Sequence, residues 1–402
     1  MNSKNCFVLL GIILLLISYI IINQITYFSE NTNLNEVNIK NRNYSFIKSS
    51  LPITNIIKIN NELLIGSGLQ YPQIYFTKEY LSDPINDDSL FLYDIKKKEL
   101  QKLTIENFPK DISFHPHGIS LYKADSHLYY LLIINHSINF EKQHCEERIE
   151  KVLLKINKSN ISLEFKNSII LPQQYFGTLN SVVMINLNTI YFTTHSYFPL
   201  PFSSFGEENI LNMLEKNKFK LYGYLNILLQ KLNIKKTYLY SYNLDNGKIN
   251  VIQNSEGASN YGLTYNEEKS ILYMARSFEK DIKIFEISRN DPTKALLIKT
   301  VKTIYNVGNI FYDNEKEKIY AGIYGTNMEL INLEKSFIQD ENFDKVTTFG
   351  GFEEIDIKNK YEISDIILMK NGIKGISSAI KINDQIYLSS LCQNGILIYH
   401  KN

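Results

Sequence analysis

From about Leu51 to the C-terminus the chain is a succession of short runs in which aromatic and aliphatic residues alternate, each giving way to a segment rich in Asn, Asp, Gly and Lys. Alternation with period two buries one face of a strand and solvates the other. Many such runs at regular spacing build an all-β sandwich, barrel or propeller. Three runs share one plan: Leu90-Phe-Leu-Tyr-Asp-Ile-Lys96, Tyr238-Leu-Tyr-Ser-Tyr-Asn-Leu-Asp-Asn-Gly247 and Ile282-Lys-Ile-Phe-Glu-Ile-Ser288. They read as outer-strand hairpins of successive blades. Strands such as Ile271-Leu-Tyr-Met-Ala275 and Ile319-Tyr-Ala-Gly-Ile323 precede hairpins of this kind, a spacing that suits four-stranded blades around an axis. One stretch breaks the pattern. Leu211, Met213, Leu214, Phe219, Leu221, Leu225, Ile227, Leu228 and Leu232, set between lysines from about Glu207 to Asn233, predict a short helical insertion broken at Gly223. Its apolar face suits either a membrane or partner surface or a cap on the strands.

The N-terminus obeys different rules. Residues 6–25 carry no charge and reach the length that crosses a bilayer, and the bulky side chains from Ile20 to Thr26 offer no cleavage site. This predicts a cytosolic tail at 1–5, a transmembrane signal anchor at 6–25, a polar stalk at 26–50 and a folded domain at 51–402. Lys4 before the run and Glu30 after it put the tail in the cytosol and the domain on the lumenal or extracellular side, in the endoplasmic reticulum or plasma membrane. Sequons at Asn43, Asn135, Asn157 and Asn160 agree with that side. Cys145 and Cys392, the two cysteines beyond the apolar run, can form one disulfide in an oxidising compartment. With 43 basic and 42 acidic residues the net charge is +1, so no bulk field recruits nucleic acid.

Ile65-Gly-Ser-Gly-Leu-Gln-Tyr-Pro72, Phe114-His-Pro-His-Gly-Ile-Ser120 and Leu131-Leu-Ile-Ile-Asn-His136 occur in an order that resembles the paraoxonase/arylesterase family. Weaker likenesses lie at Leu179-Asn-Ser-Val-Val183, Tyr191-Phe-Thr-Thr-His-Ser-Tyr-Phe198 and Gly375-Ile-Ser-Ser378. The resemblance implies a six-bladed β-propeller whose central tunnel holds calcium and hydrolyses lactones and aryl esters. It assigns His117 and His136 to the pair that activates water, a task suited to imidazoles that are neutral near pH 7.

The calcium positions depart from the family pattern. The expected Glu-Asp pair reads Thr54-Asn55, the Asn-Asp pair reads Asn180-Ser181, Tyr261 replaces an amide with Asn260 one place early, and the Asp-Asn pair reads Gly308-Asn309. Asn180, Asn309 and Ile119 are the residual calcium-site positions, all without charge. Calcium takes six to eight oxygens with carboxylates among them, so these changes argue against it. Replacement acids would have to come from elsewhere, with Glu256, Asp313 and Asp365 available. The family's long-range disulfide has no counterpart near Thr54 or Ile396, so the expectation is closure by hydrogen bonding and packing.

The resemblance supports two main functions. The first is a non-hydrolytic, membrane-anchored binding platform, similar in plan to the nematode paraoxonase-like accessory proteins of degenerin-type channels. The alternative is a calcium-dependent arylesterase or lactonase. A third, a metal-free hydrolase with Ser181 as nucleophile beside His195 or His117, lacks a nucleophile-elbow motif.

Overall fold

A computed structural model describes residues 44–69, 88–125, 128–139, 144–157, 160–171, 178–197, 218–339, 349–369 and 373–400. Each alternating run becomes a strand, and the described strands form six sheets, antiparallel except for one edge pairing. The first blade holds β2 (Ile53–Lys58), β3 (Leu63–Gly68), β4 (Ser89–Asp94) and β5 (Glu99–Leu103). The second holds β7 (Pro116–Lys123), β8 (Leu128–Asn139), β9 (His144–Asn157) and β10 (Asn160–Ile170), with β6 (Ile105–Glu106) added in parallel at its edge. β11 (Thr178–Asn186), β12 (Thr189–Ser196), β13 (Leu239–Asn243) and β14 (Ile249–Val251) make the third. The fourth comprises β15 (Asn260–Asn266), β16 (Ile271–Arg276), β17 (Asp281–Ile287) and β18 (Ala295–Lys302). The fifth comprises β19 (Asn306–Asp313), β20 (Lys318–Gly325), β21 (Gly350–Asp356) and β22 (Glu362–Met369).

The sixth blade takes β23 (Ile376–Ile382), β24 (Gln385–Ser390) and β25 (Gly395–His400) from the C-terminus and its outer strand, β1 (Tyr44–Lys48), from the opposite end of the chain. Tyr44 pairs with Tyr399 and Lys48 with Gly395, so a backbone ladder closes the circle. The stretch read as stalk up to residue 50 therefore contributes a strand, and the folded domain includes Tyr44. Its five residues are largely exposed and follow a polar stretch, and the strand they pair with lies at the other end of the chain.

Each blade is a sheet with two buried faces. Ile65, Leu90 and Leu92 of the first blade pack with Ile119, Leu131 and Val152 of the second. Equivalent wedges join the second to the third, the third to the fourth, and so on round to the sixth and first. Second and third strands such as β4, β16 and β20 are thus buried along most of their length. The innermost strands β2, β7, β11, β15, β19 and β23 touch in that cyclic order around the axis.

Among the described residues two helices interrupt the strands. α1 (Lys218–Lys231) runs unbroken through Gly223 and lies between β12 and β13. α2 (Asn327–Gln339) comes after β20 and was not expected. It starts with a capping box, in which the Thr326 N–H donates to Glu329 Oε2 at 2.8 Å and the Glu329 N–H to Thr326 Oγ1 at 3.4 Å. The helices pack on each other, and Ile227, Leu330 and Leu333 share a core with Tyr261 and Tyr324. They cap the propeller at that end, while Tyr224 and Leu228 face outward.

Several sequence expectations are corrected. Asn135 is fully buried, and its amide donates to the Ser113 carbonyl at 3.0 Å and to Glu150 Oε1 at 2.9 Å, so it cannot carry a glycan. Asn157 ends β9 and Asn160 begins β10, and Asn43 lies outside the described residues. Cys392 is a free thiol whose burial pushes its pKa up to about 12. It sits in the sixth blade and Cys145 in the second, with the first blade between them, so the expected pair does not form. No helix among the described residues is long and apolar enough to cross a membrane, and the 6–25 run lies outside them.

Candidate active site

All six innermost strands carry a register shift at the same level. The residues thrown out of register are Thr54, His117-Gly118, Asn180-Ser181, Tyr261-Gly262, Gly308-Asn309 and Ser377. A bulge bends its strand and re-aims one side chain. Six around an axis make a ring. The glycines in it allow the blades to meet closely: a Cβ on Gly118 would lie 2.1 Å from the Asn180 carbonyl oxygen, and one on Gly262 2.5 Å from Asn309 Cα.

His117 and His136 are brought together as expected, with His117 Nδ1 3.0 Å from His136 Nε2 and both side chains buried. Beyond them stands a residue the sequence reading missed. Glu147 on β9 faces His136 across the β8–β9 ladder, with Oε1 2.8 Å from His136 Nδ1. Its Oε2 accepts the Leu179 N–H of the third blade at 3.0 Å. The result is a His117–His136–Glu147 relay that also joins two blades.

Burial, and then His136 and His195, hold His117 well below the usual histidine pKa, so it is neutral near pH 7. His195 is pushed down to about 3, first by burial and then by His136, against the raising effect of backbone groups of Thr178 and Leu179. Its Nδ1 is buried without a hydrogen-bond partner. The His195 ring leans on Tyr261, 5.8 Å between centroids, and Tyr261 on Tyr324 at 5.4 Å, which extends an aromatic wall from the histidines to the helices.

A second buried network backs the relay. His115 Nδ1 lies 2.8 Å from Asp88 Oδ2, and the His115 N–H donates to Asn135 Oδ1 at 2.7 Å. The His136 N–H bonds the His115 carbonyl at 3.2 Å, and Arg148 bridges Glu146 and Glu150. Ser67 of the first blade donates to the His117 carbonyl at 2.6 Å. The backbones of the two relay histidines are therefore held by the Ser67 hydroxyl and the His115 carbonyl.

Comparison with known proteins gives the family. A family profile described as Arylesterase matches residues 53–338, well over half of the chain. The chain belongs to the arylesterase family. Human serum paraoxonase/lactonase 3 is 23% identical over 271 residues, 67% of this chain and 64% of that protein. Human serum paraoxonase/arylesterase 1 is 24% identical over 277 residues, 67% of this chain and 65% of that protein. The matches thus span slightly less than two thirds of these relatives' own length. Among solved structures, a luciferin-regenerating enzyme aligns with a TM-score of 0.47 and 8% identity, covering 89% of this chain and 95% of that one.

Whether the arylesterase-family ring suits a calcium ion depends on its donors. Asn180 Oδ1 and Asn309 Oδ1 are buried without hydrogen-bond partners, which leaves two oxygens able to face a ligand or water. The other positions are committed: Ser181 Oγ accepts the Leu263 N–H at 3.0 Å, and Asn55 Oδ1 accepts from Ser378 Oγ at 3.4 Å. Thr54 Oγ1 is 3.0 Å from Ser67 Oγ. Asn260 turns away, its amide donating to the Ser255 carbonyl at 3.1 Å. Asp313 caps its own turn through the Glu315 N–H, Glu256 pairs with Lys283, and Asp365 lies on the outer strand β22, so none of the three supplies an acid to the ring. Among the described residues no group of three or more His, Cys, Asp or Glu side chains could hold a metal ion. A set of neutral oxygens does not fit a resident calcium ion. A cavity of about 280 Å³ is bordered by Asn55, Ile119, Ser181, Asn309 and Ser378.

Proposed function

We propose that this arylesterase-family protein hydrolyses carboxylic esters or lactones with His117 as general base. The observation that carries the reading is the buried 3.0 Å contact between a neutral His117 and a His136 that is itself held at its other nitrogen. His117 takes a proton from water as the hydroxide adds to the substrate carbonyl. The tetrahedral adduct then collapses by breaking the bond to the alkoxy oxygen, which recovers the proton from the imidazolium. Water and ester are consumed, and acid and alcohol, or one hydroxy acid, are formed. The test is turnover of an aryl ester and a lactone by the full-length chain. Replacing the base in His117→Gln lowers kcat by about 10²–10⁴-fold with the fold intact; an unchanged rate overturns the assignment.

The neutral ring favours a second reading, a binding platform tethered by residues 6–25 with its propeller on the lumenal or extracellular side of the endoplasmic reticulum or plasma membrane. Tethering raises the effective concentration of the domain beside membrane partners such as channel subunits. This reading expects folded protein without turnover of either substrate, and surface assembly of co-expressed degenerin-type channel subunits that depends on the tether.

A further inference from the structure

We propose that Glu147 is the positioning residue of the site: through His136 it sets which nitrogen of His117 accepts a proton, a consequence that rests on the hydrolase reading. The chemistry of each atom limits the role it can take. An ionised carboxylate only accepts hydrogen bonds. A backbone N–H only donates, and the Leu179 N–H points at Glu147 Oε2 from 3.0 Å. Oε1 lies 2.8 Å from His136 Nδ1, so that nitrogen carries the proton and donates. When Nδ1 carries the only proton of the His136 ring, Nε2 is an acceptor, and the group facing it at 3.0 Å, His117 Nδ1, is the donor. His117 Nε2 is left with the lone pair and is the base.

Rigid elements hold this chain of assignments. Glu147 lies within the fourteen-residue strand β9, directly opposite His136 on β8, and is 8% exposed. The charged or titratable groups beside the relay are His117 on β7 and His195 on β12, and the elements that fix Glu147 come from two blades.

The geometry makes Glu147→Gln a sharp test, because the Leu179 N–H still requires an acceptor. The glutamine therefore turns its carbonyl to Leu179 and its NH₂ to the Oε1 position, and since that position is nearer to His136 Nδ1, 2.8 Å against 3.1 Å for Oε2, the NH₂ donates there and Nδ1 accepts. His136 then donates from Nε2, His117 accepts at Nδ1, and the proton moves to His117 Nε2. One isosteric change reverses both imidazoles and blocks the base.

The experiment uses the full-length chain in detergent with ¹⁵N-labelled histidine, and His117→Gln and His136→Gln variants to assign the signals. Both relay histidines of the wild type are expected to be protonated at Nδ1, and both in Glu147→Gln at Nε2. With an aryl ester as substrate, kcat of Glu147→Gln falls by about 10²–10⁴-fold while KM stays within about threefold, the signature of a group that acts only in the transition state. A wild-type His136 protonated at Nε2, or a Glu147→Gln variant with wild-type kcat, overturns the proposal. If the wild type turns over neither an ester nor a lactone, the hydrolase reading fails, and the ¹⁵N spectra alone decide whether Glu147 sets the tautomers.

Discussion

The two histidines with depressed pKa values give the molecule a specific response to acid. His117 lies well below, and His195 at about 3 far below, the value of about 6.5 for an unfolded histidine. Both are neutral in the native protein, and the unfolded chain binds protons first as pH falls. Stability is therefore fully present above about pH 6.5 and declines below it, by up to about 1.4 kcal/mol per pH unit for each histidine. Urea midpoints measured between pH 7.5 and 4.5 are expected to fall, and His195→Gln is expected to flatten the slope; a slope unchanged by that substitution removes His195 as its source. At this scale His117 and His136 were legible because the short motifs that hold them, Phe114 to Ser120 and Leu131 to His136, resemble the arylesterase family. Glu147 was not. It lies eleven residues beyond His136 in a hairpin, and only the register of β8 against β9 brings it to the imidazole.

Among the elements, the bulged inner strand decides most. Local alternation predicts that neighbouring residues face opposite sides, whereas each bulge adds a residue and redirects the side chains after it. Gly118 shows the constraint. Its Cβ position is 2.1 Å from the Asn180 carbonyl oxygen, so Gly118→Ala must push β7 and β11 apart. The expected cost is about 1–3 kcal/mol in denaturant midpoint, together with reduced activity because His117 is the adjacent residue; an unaltered midpoint would show that the blades have slack there. Other elements were misread for identifiable reasons. Asn135 fits the sequon rule, yet it lies in a strand buried on both faces. The Thr326-x-x-Glu329 box that starts α2 was present in the sequence and passed over. β1 was missed because it is one five-residue run at the end of a polar stretch and its partner, β25, lies at the other end of the chain.

For the whole molecule, the central question is what holds six wedges around an axis without a charged centre. Side-chain bridges pass from blade to blade: Ser67 to the His117 carbonyl, Glu147 to the Leu179 N–H, and Ser181 to the Leu263 N–H. They continue with Thr264 to the Tyr312 N–H at 3.2 Å and Ser378 to the Ile56 N–H at 3.2 Å. A ligand that binds only the native state raises its stability in proportion to the logarithm of its concentration. With neutral oxygens on the ring, thermal unfolding in millimolar calcium and in a chelator should differ by no more than about 1 °C, since about 1 kcal/mol of binding would already shift the midpoint by a few degrees. A midpoint that climbs with calcium concentration would show that the ring holds the ion.

The sequence by itself determined that the chain is all-β, where most second and third strands lie, that it resembles the arylesterases and that the family's acids are missing, because each depends on residue type within a short window. Only the tertiary structure decided which side chains converge. The closing strand comes from the opposite end of the chain, and Ser378 meets Asn55 across 323 residues. Glu147 reaches His136 through strand register, and Ser181 reaches Leu263 across a blade boundary. These contacts depend on bulges, register and the cyclic order of the blades, which are set by packing over the whole circle and leave no periodic trace in the local sequence.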